Sequence, residues 1–130
     1  MRVLVVDDDR DVRDLVVRCV RSGGCKVLAA GSGQDALSAV SAHGMPDVAV
    51  LDVAMAEMDG IELLGLLRQR RPDLPAVFLS VLWSEPDLAR MRAAGGVPMR
   101  KPFNAQHLQA MVRELHEQGP PEHGAPGAVR

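Results

Sequence analysis

Six side chains stand where reactive groups could be brought together. Asp7 and Asp8 follow the apolar run Arg2-Val3-Leu4-Val5-Val6, with Asp9 next, and Asp52 closes the run Val48-Ala49-Val50-Leu51. Ser80 ends a third apolar stretch from Ala76, and Lys101 follows a fourth, Val97 to Arg100. Several carboxylates converging in one cleft repel one another unless a cation intervenes. Oxygen ligands of this kind suit Mg²⁺, which takes octahedral geometry and keeps waters. A lysine ammonium is a flexible point charge that can bind a phosphoryl oxygen and a carboxylate in turn. Lysine is also scarce, since Lys26 and Lys101 stand beside thirteen arginines. Taken singly, each of these residues is ordinary. Serine after a strand is usually a turn residue, a lone lysine is usually solvated, and Asp9 reads as a helix cap. Their meaning depends on whether the fold gathers them.

The positioning elements can be read from hydrophobic spacing. Val48 to Leu51 is an unbroken apolar segment after Met45-Pro46-Asp47, which suits a strand buried on both faces. Arg2 to Val6, Lys26 to Ala30, Ala76 to Ser80 and Val97 to Arg100 make four further strands, the last interrupted by Pro98 and so placed at a sheet edge or strand start. Helices fill the intervals. Asp9 precedes one in which Val12, Leu15, Val16, Cys19 and Val20 recur at helical spacing, and Gly23-Gly24 ends it. Ser32 with Asp35 resembles a capping box for a helix carrying Ala36, Leu37 and Val40, closed by His43-Gly44. From Gly60 a third helix turns Ile61, Leu64 and Leu67 inward and carries Arg68, Arg70 and Arg71 at its C-terminal end. Ser84, Pro86 and Asp87 start a fourth with Leu88 and Met91 on its apolar side, before Gly95-Gly96. Asn104 caps a fifth with Leu108, Met111, Val112 and Leu115. Strand and helix thus alternate five times, the pattern of a parallel sheet covered on both faces by right-handed crossovers. In a doubly wound sheet whose order reverses at strand one, the ends of strands one and three lie side by side. That switch point is where such folds do their chemistry.

Composition narrows the possibilities. At 130 residues the chain can bury one core without disulfides or metal staples. Its 47% hydrophobic content contains no run near the roughly 18 residues that span a membrane. The N-terminus lacks a secretory signal, so a cytoplasmic protein is expected. Cys19 and Cys25 lack metal or redox spacing and read as buried or incidental thiols. A net charge of -2 gives no basic field for nucleic acid, and Arg10, Arg13, Arg18 and Arg21 read as the solvated face of the first helix. Four histidines show no ligand spacing, and no glycine-rich nucleotide loop is present. Trp83, just beyond Ser80, fits equally a partner contact or packing on the fourth helix. From Gly119 the Pro- and Gly-rich sequence has no periodicity, and residues 119–130 are expected to be a disordered tail.

With VVDDD, LDVAMAEMDG, the apolar strand ending in Ser80 and KPF in this order, the chain resembles the receiver domain of two-component response regulators. The resemblance covers about residues 2 to 117, giving a receiver domain over 1–118. It implies the chemotaxis-type, flavodoxin-like α/β fold: a doubly wound (βα)5 arrangement with a five-stranded parallel sheet in the order 2-1-3-4-5. It further implies that Asp52 accepts a phosphoryl group from a sensor histidine kinase or phosphotransfer protein. Asp8 and Asp52 would bind Mg²⁺ directly with the backbone carbonyl of Ala54, and Asp7 mainly through water. Ser80 would donate to the phosphoryl group, Lys101 would pair with it, and the Lys101-Pro102 bond would be cis. Such a domain catalyses its own phosphorylation but serves signalling by changing its affinity for a downstream effector, without touching nucleic acid or membrane itself, and as a possible homodimer.

The sequence departs from the family at three places. Pro98 stands where an aromatic residue usually reports phosphorylation, and the chain has no tyrosine, so readout by aromatic rotation is not expected. Val81 follows the serine where a small residue is common, and Ala56 replaces a frequent proline. The alternative is therefore a receiver-shaped interaction module that no longer switches. An aspartate-nucleophile phosphatase ranks behind it, because Asp52 lacks that class's paired DxD pattern. Little sequence follows the last helix, so the chain is expected to act through a partner or to be the receiver piece of a longer regulator.

Overall fold

A computed structural model describes residues 1–118. The expected tail, 119–130, lies outside the described residues. Five strands, β1 (Arg2–Val6), β2 (Lys26–Ala30), β3 (Val48–Asp52), β4 (Ala76–Ser80) and β5 (Val97–Arg100), alternate with five helices. The helices are α1 (Arg10–Ser22), α2 (Gly33–His43), α3 (Gly60–Arg70), α4 (Glu85–Ala93) and α5 (Ala105–Gln118). All neighbouring strands pair in parallel, in the order β2-β1-β3-β4-β5. This is the parallel, doubly covered (βα)5 sheet expected from the alternation, in the flavodoxin-like strand order that the resemblance implied.

Side chains alternate across a strand, so the sheet divides the core in two. Leu4, Val6, Ala49, Leu51, Ala76 and Phe78 face one side, beneath Ala36 and Val40 of α2, Leu63, Leu64 and Leu67 of α3, and Met91 of α4. Val3, Val5, Val48, Val50, Val77, Leu79 and Met99 face the other, beneath α1 and α5. Every residue of β3 and β4 is buried, which is why these two strands read as unbroken apolar runs. Pro98 sits on the edge strand β5, opposite Phe78, where its missing N–H leaves no central ladder bond unmade. The chain leaves β1 leftward through α1 on one face and leaves β3 rightward through α3 on the other. The loops after β1 and β3 therefore part company and open a crevice between them.

Helix termini follow local capping chemistry. Asp9 accepts from the N–H groups of Asp11 and Val12, Ser32 from Asp35, and Asn104 from His107. Ser84 and Asp87 form a reciprocal capping box on α4. Residue-level inward and outward assignments needed correction at three places. Leu15, expected on the buried stripe of α1, is 50% exposed; Val16, Cys19 and Val20 carry that contact instead. In α3 Leu63 joins Leu64 and Leu67 in the core, while Ile61 is half-buried at the margin. Arg13 does not share the solvated face of Arg10, Arg18 and Arg21: it folds back and donates to the Asp7 carbonyl at 2.9 Å. Cys19 is buried, its thiol on the Ala105 carbonyl, and burial raises its pKa.

Arg68 also does more than complement the end of α3. Nε and Nη2 donate to the Leu74 carbonyl at 3.0 and 2.8 Å, Nη1 to Ala94 at 2.9 Å and Nη2 to Gly95 at 2.9 Å. One guanidinium thus joins α3 to the approach of β4 and to the end of α4. Its five fixed donors make it suited to this task.

Candidate functional site

The carboxyl edge of the sheet gathers the candidate residues. Asp7 follows β1 and is 1% exposed; Asp52 ends β3 and is 5% exposed; Asp8 is exposed at the mouth of the crevice. One oxygen from each of these three carboxylates lies within 4.8 Å of the others. Lys101, next after β5, reaches across the edge and donates from Nζ to Asp7 Oδ2 at 2.9 Å and to Asp52 Oδ1 at 3.0 Å. These are charge-assisted bonds among poorly solvated groups, where pairing matters most. The Lys101-Pro102 peptide bond is cis, as the family resemblance implied.

Backbone contacts hold each acid in place. Asp7 is tied at its N–H to the Ala30 carbonyl (3.3 Å), at Oδ1 to the Asp9 N–H (2.9 Å), and at its carbonyl to Arg13. Asp52 sits opposite Leu79 in the β3–β4 register, and the Val53 N–H bonds to the Leu79 carbonyl at 3.2 Å. The chain then turns through an exposed loop containing Ala54 and Glu57, the latter at φ 65°. Gly60 returns it against the strand end, donating to the Val53 carbonyl at 3.0 Å. A Cβ on Gly60 would collide with the Asp52 carbonyl, so α3 approaches the end of β3 this closely because residue 60 has no side chain. Asp59 and Glu62 form a reciprocal capping box that holds this start of α3. Gly60, this box and Arg13 were missed in the sequence. The Asp-Gly pair followed by Glu62 was the available signal for the first two, whereas nothing local to Arg13 marks its contact.

Charge is unbalanced here. Three carboxylates face one ammonium. Burial, reinforced by the charge of Asp7, outweighs the hydrogen bond from Lys101 and pushes the Asp52 carboxyl up to about 6. Lys101 moves up as well: its two hydrogen bonds to Asp7 and Asp52 overcome the opposing effect of its own burial. A further cation would offset the repulsion among the carboxylates and favour the ionised form of Asp52. The donors are all hard carboxylate oxygens, two buried and one open to solvent, which fits an ion that keeps part of its water shell.

Ser80 is brought to the same edge but its hydroxyl is engaged elsewhere. Oγ accepts from the Leu82 N–H at 2.9 Å and donates to the Leu82 carbonyl at 3.3 Å. Trp83 is half-buried against the α2–α3–α4 side of the core, with the Arg100 guanidinium carbon 5.9 Å from its ring centroid.

A family model described as the response regulator receiver domain matches residues 3–113. A response regulator MprA from Mycolicibacterium vanbaalenii is 37% identical over 126 residues, covering 96% of this chain and 54% of that protein. The chain spans about half the length of the curated relatives it matches. Among solved structures, the receiver domain of Francisella response regulator 1452 is 30% identical with a TM-score of 0.80, covering 89% of this chain and 96% of that one. CheY in a CheX-CheY-BeF3-Mg+2 complex from Borrelia burgdorferi shares the fold at 23% identity and a TM-score of 0.80, covering 88% of each chain.

Proposed function

Because this chain belongs to the family of response regulator receiver domains, we propose that Asp52 accepts a phosphoryl group in a Mg²⁺-dependent reaction and that the modified domain changes its binding to a partner. The observation that carries this reading is the bridging of Asp7 and Asp52 by Lys101, with the Asp8 carboxylate converging on the same pair. A carboxylate oxygen of Asp52 attacks phosphorus of a phosphohistidine on a sensor kinase or phosphotransfer protein. The O–P bond forms as the P–N bond breaks, and the departing imidazole keeps its electron pair and takes up a proton.

Asp7, Asp8, Asp52 and the Ala54 carbonyl would hold Mg²⁺, which when bound neutralises charge on the phosphoryl oxygens. Lys101 gives up one carboxylate contact and pairs with an arriving oxygen, while Ser80 supplies a hydrogen bond once its hydroxyl leaves Leu82. Little covalent help is needed from the protein. Phosphoryl transfer depends mainly on in-line placement and on neutralising spread negative charge. The role is signalling: the one chemical event catalysed is the domain's own modification. Output passes to an effector protein or effector domain, with no direct grip on nucleic acid, and a homodimer is one form it can take. Among the described residues no helix is long and apolar enough to cross a membrane, in keeping with the proposed cytoplasmic setting.

The alternative of a non-switching interaction module gains no support from these relatives. The test is labelling by acetyl phosphate or a cognate kinase with and without Mg²⁺. Label should appear on the wild type only with the metal, and label that persists in Asp52→Asn would sink the assignment.

A further inference from the structure

The turn after β2, Gly31-Ser32-Gly33, carries none of the candidate residues, yet both loops that flank the acid crevice lean on it. Its two glycines are not demanded by the backbone. Neither lies in the left-handed region, and Ser32 already caps α2 by accepting from the Asp35 N–H at 3.0 Å. At the first position of α2, alanine would serve the helix better than glycine. Space accounts for both residues. A Cβ on Gly31 would stand 2.8 Å from Nη1 of Arg13. One on Gly33 would run into the Met58 side chain, colliding with Sδ and standing 3.0 Å from Cγ and 3.1 Å from Cβ.

Each seated side chain governs one loop. From its place against Gly31, Arg13 donates through Nη1 to the Asp7 carbonyl at 2.9 Å, which belongs to the peptide joining Asp7 to Asp8. That bond fixes the peptide from which the exposed Asp8 carboxylate projects. Met58 acts on the loop from Val53 to Gly60. Its Met55 N–H bonds to the Val53 carbonyl at 3.1 Å and its Met58 N–H to the Ala56 carbonyl at 2.7 Å, with Glu57 at φ 65° in the second turn. A left-handed residue other than glycine persists only where its surroundings hold it. Between Val53 and Asp59 the side chains packed against the core are Met55 and Met58, and Met58 is the one seated on Gly33.

We infer that Gly31 and Gly33 are positioning residues: the turn after β2 seats Arg13 and Met58, and so fixes the two loops that present Asp8 and the Ala54 carbonyl to Mg²⁺. This rests on the metal site proposed above.

Mg²⁺ binding to the full chain is measured by titration calorimetry, and labelling by acetyl phosphate is followed against Mg²⁺ concentration. Gly33→Ala and Met58→Ala should each weaken binding about tenfold, as disturbing the groups that support metal ligands does. The labelling rate at saturating Mg²⁺ should return to that of the wild type, which a general loss of structure would not allow. The two changes combined should weaken binding no further than either alone, since both break one contact. Gly31→Ala should weaken it about threefold, the loss of one hydrogen bond, and Arg13→Met should add nothing to that. Gly65→Ala is the control, because a Cβ there meets nothing within 4 Å and binding should be unchanged. If Gly33→Ala does not fold, Met58→Ala, which only removes atoms, decides the matter. Wild-type affinity in Met58→Ala overturns the inference and leaves the metal site standing, and so do losses in Gly33→Ala and Met58→Ala that multiply when combined. Wild-type affinity in Gly31→Ala removes Gly31 and Arg13 from the platform. A wild type that binds no Mg²⁺ refutes the metal site and this inference with it.

Discussion

Asp52→Asn should make the unphosphorylated, metal-free chain more stable at neutral pH, with a gain that disappears in acid. Asp52 lies almost buried beside Asp7, with Lys101 between them, and its carboxyl is pushed up to about 6, chiefly by burial. In an unfolded chain it would titrate near ~3.9. Between these values the folded protein holds a proton that the unfolded chain has released, so stability falls as pH rises. Below about 4 both states are protonated and the penalty is absent; above about 6 both are ionised and it is complete. A rise of this size corresponds to at most about 3 kcal/mol, and relaxation and water entry place the expected plateau between about 1 and 3 kcal/mol. Asparagine keeps the shape without the charge, so the difference between the two proteins isolates the effect. Urea unfolding followed by circular dichroism, in chelator, from about pH 4.5 to pH 8, should show the variant drawing ahead as pH rises. In thermal melts the gain should be roughly 4 °C per kcal/mol. Mg²⁺ should then recover the wild type preferentially, by about 2.7 kcal/mol at a hundredfold excess over Kd. A stability difference that is flat with pH, or a wild type more stable than the variant at neutral pH, would refute the charge-strain reasoning.

Three further outcomes follow from the same geometry. Lys101→Met should leave Asp7 and Asp52 without their shared cation and slow labelling by acetyl phosphate on the order of 100-fold, as seen in single-turnover kinetics. Gly60→Ala should destabilise the domain by about 1–3 kcal/mol because the new Cβ meets the Asp52 carbonyl; Mg²⁺ titration should show weaker binding as the end of β3 is displaced. Arg68→Met should lose about 2–4 kcal/mol in urea unfolding, since the partly buried carbonyls of Leu74, Ala94 and Gly95 lose their charged donor. A loss below ~0.5 kcal/mol would show that water replaces that donor.

Much of this protein was determined by local sequence. Unbroken apolar runs gave β3 and β4, alternation with helical periods gave the layered parallel sheet, and capping residues such as Asp9, Ser84 and Asn104 marked helix starts, because each depends on neighbours a few residues away. The convergence of the candidate residues was legible for the same reason. Asp7, Asp8, Asp52, Ser80 and Lys101 all fall at the ends of strands, and the sheet order brings those ends together. What the tertiary structure alone decided was direction. Leu15 and Ile61 satisfy helical spacing, yet the packing angle of each helix turned Leu15 to solvent and placed Leu63 ahead of Ile61 in the core. Arg13 and Arg68 look like surface charges until carbonyls distant in the chain or across a turn come within reach of their donors. Ser80 is the sharpest case: the resemblance assigns its hydroxyl to a phosphoryl group, but in the fold it accepts from the Leu82 N–H and lies against the Leu82 carbonyl. Rotamers and long-range acceptors are settled by the surrounding packing, and local spacing carries no record of them.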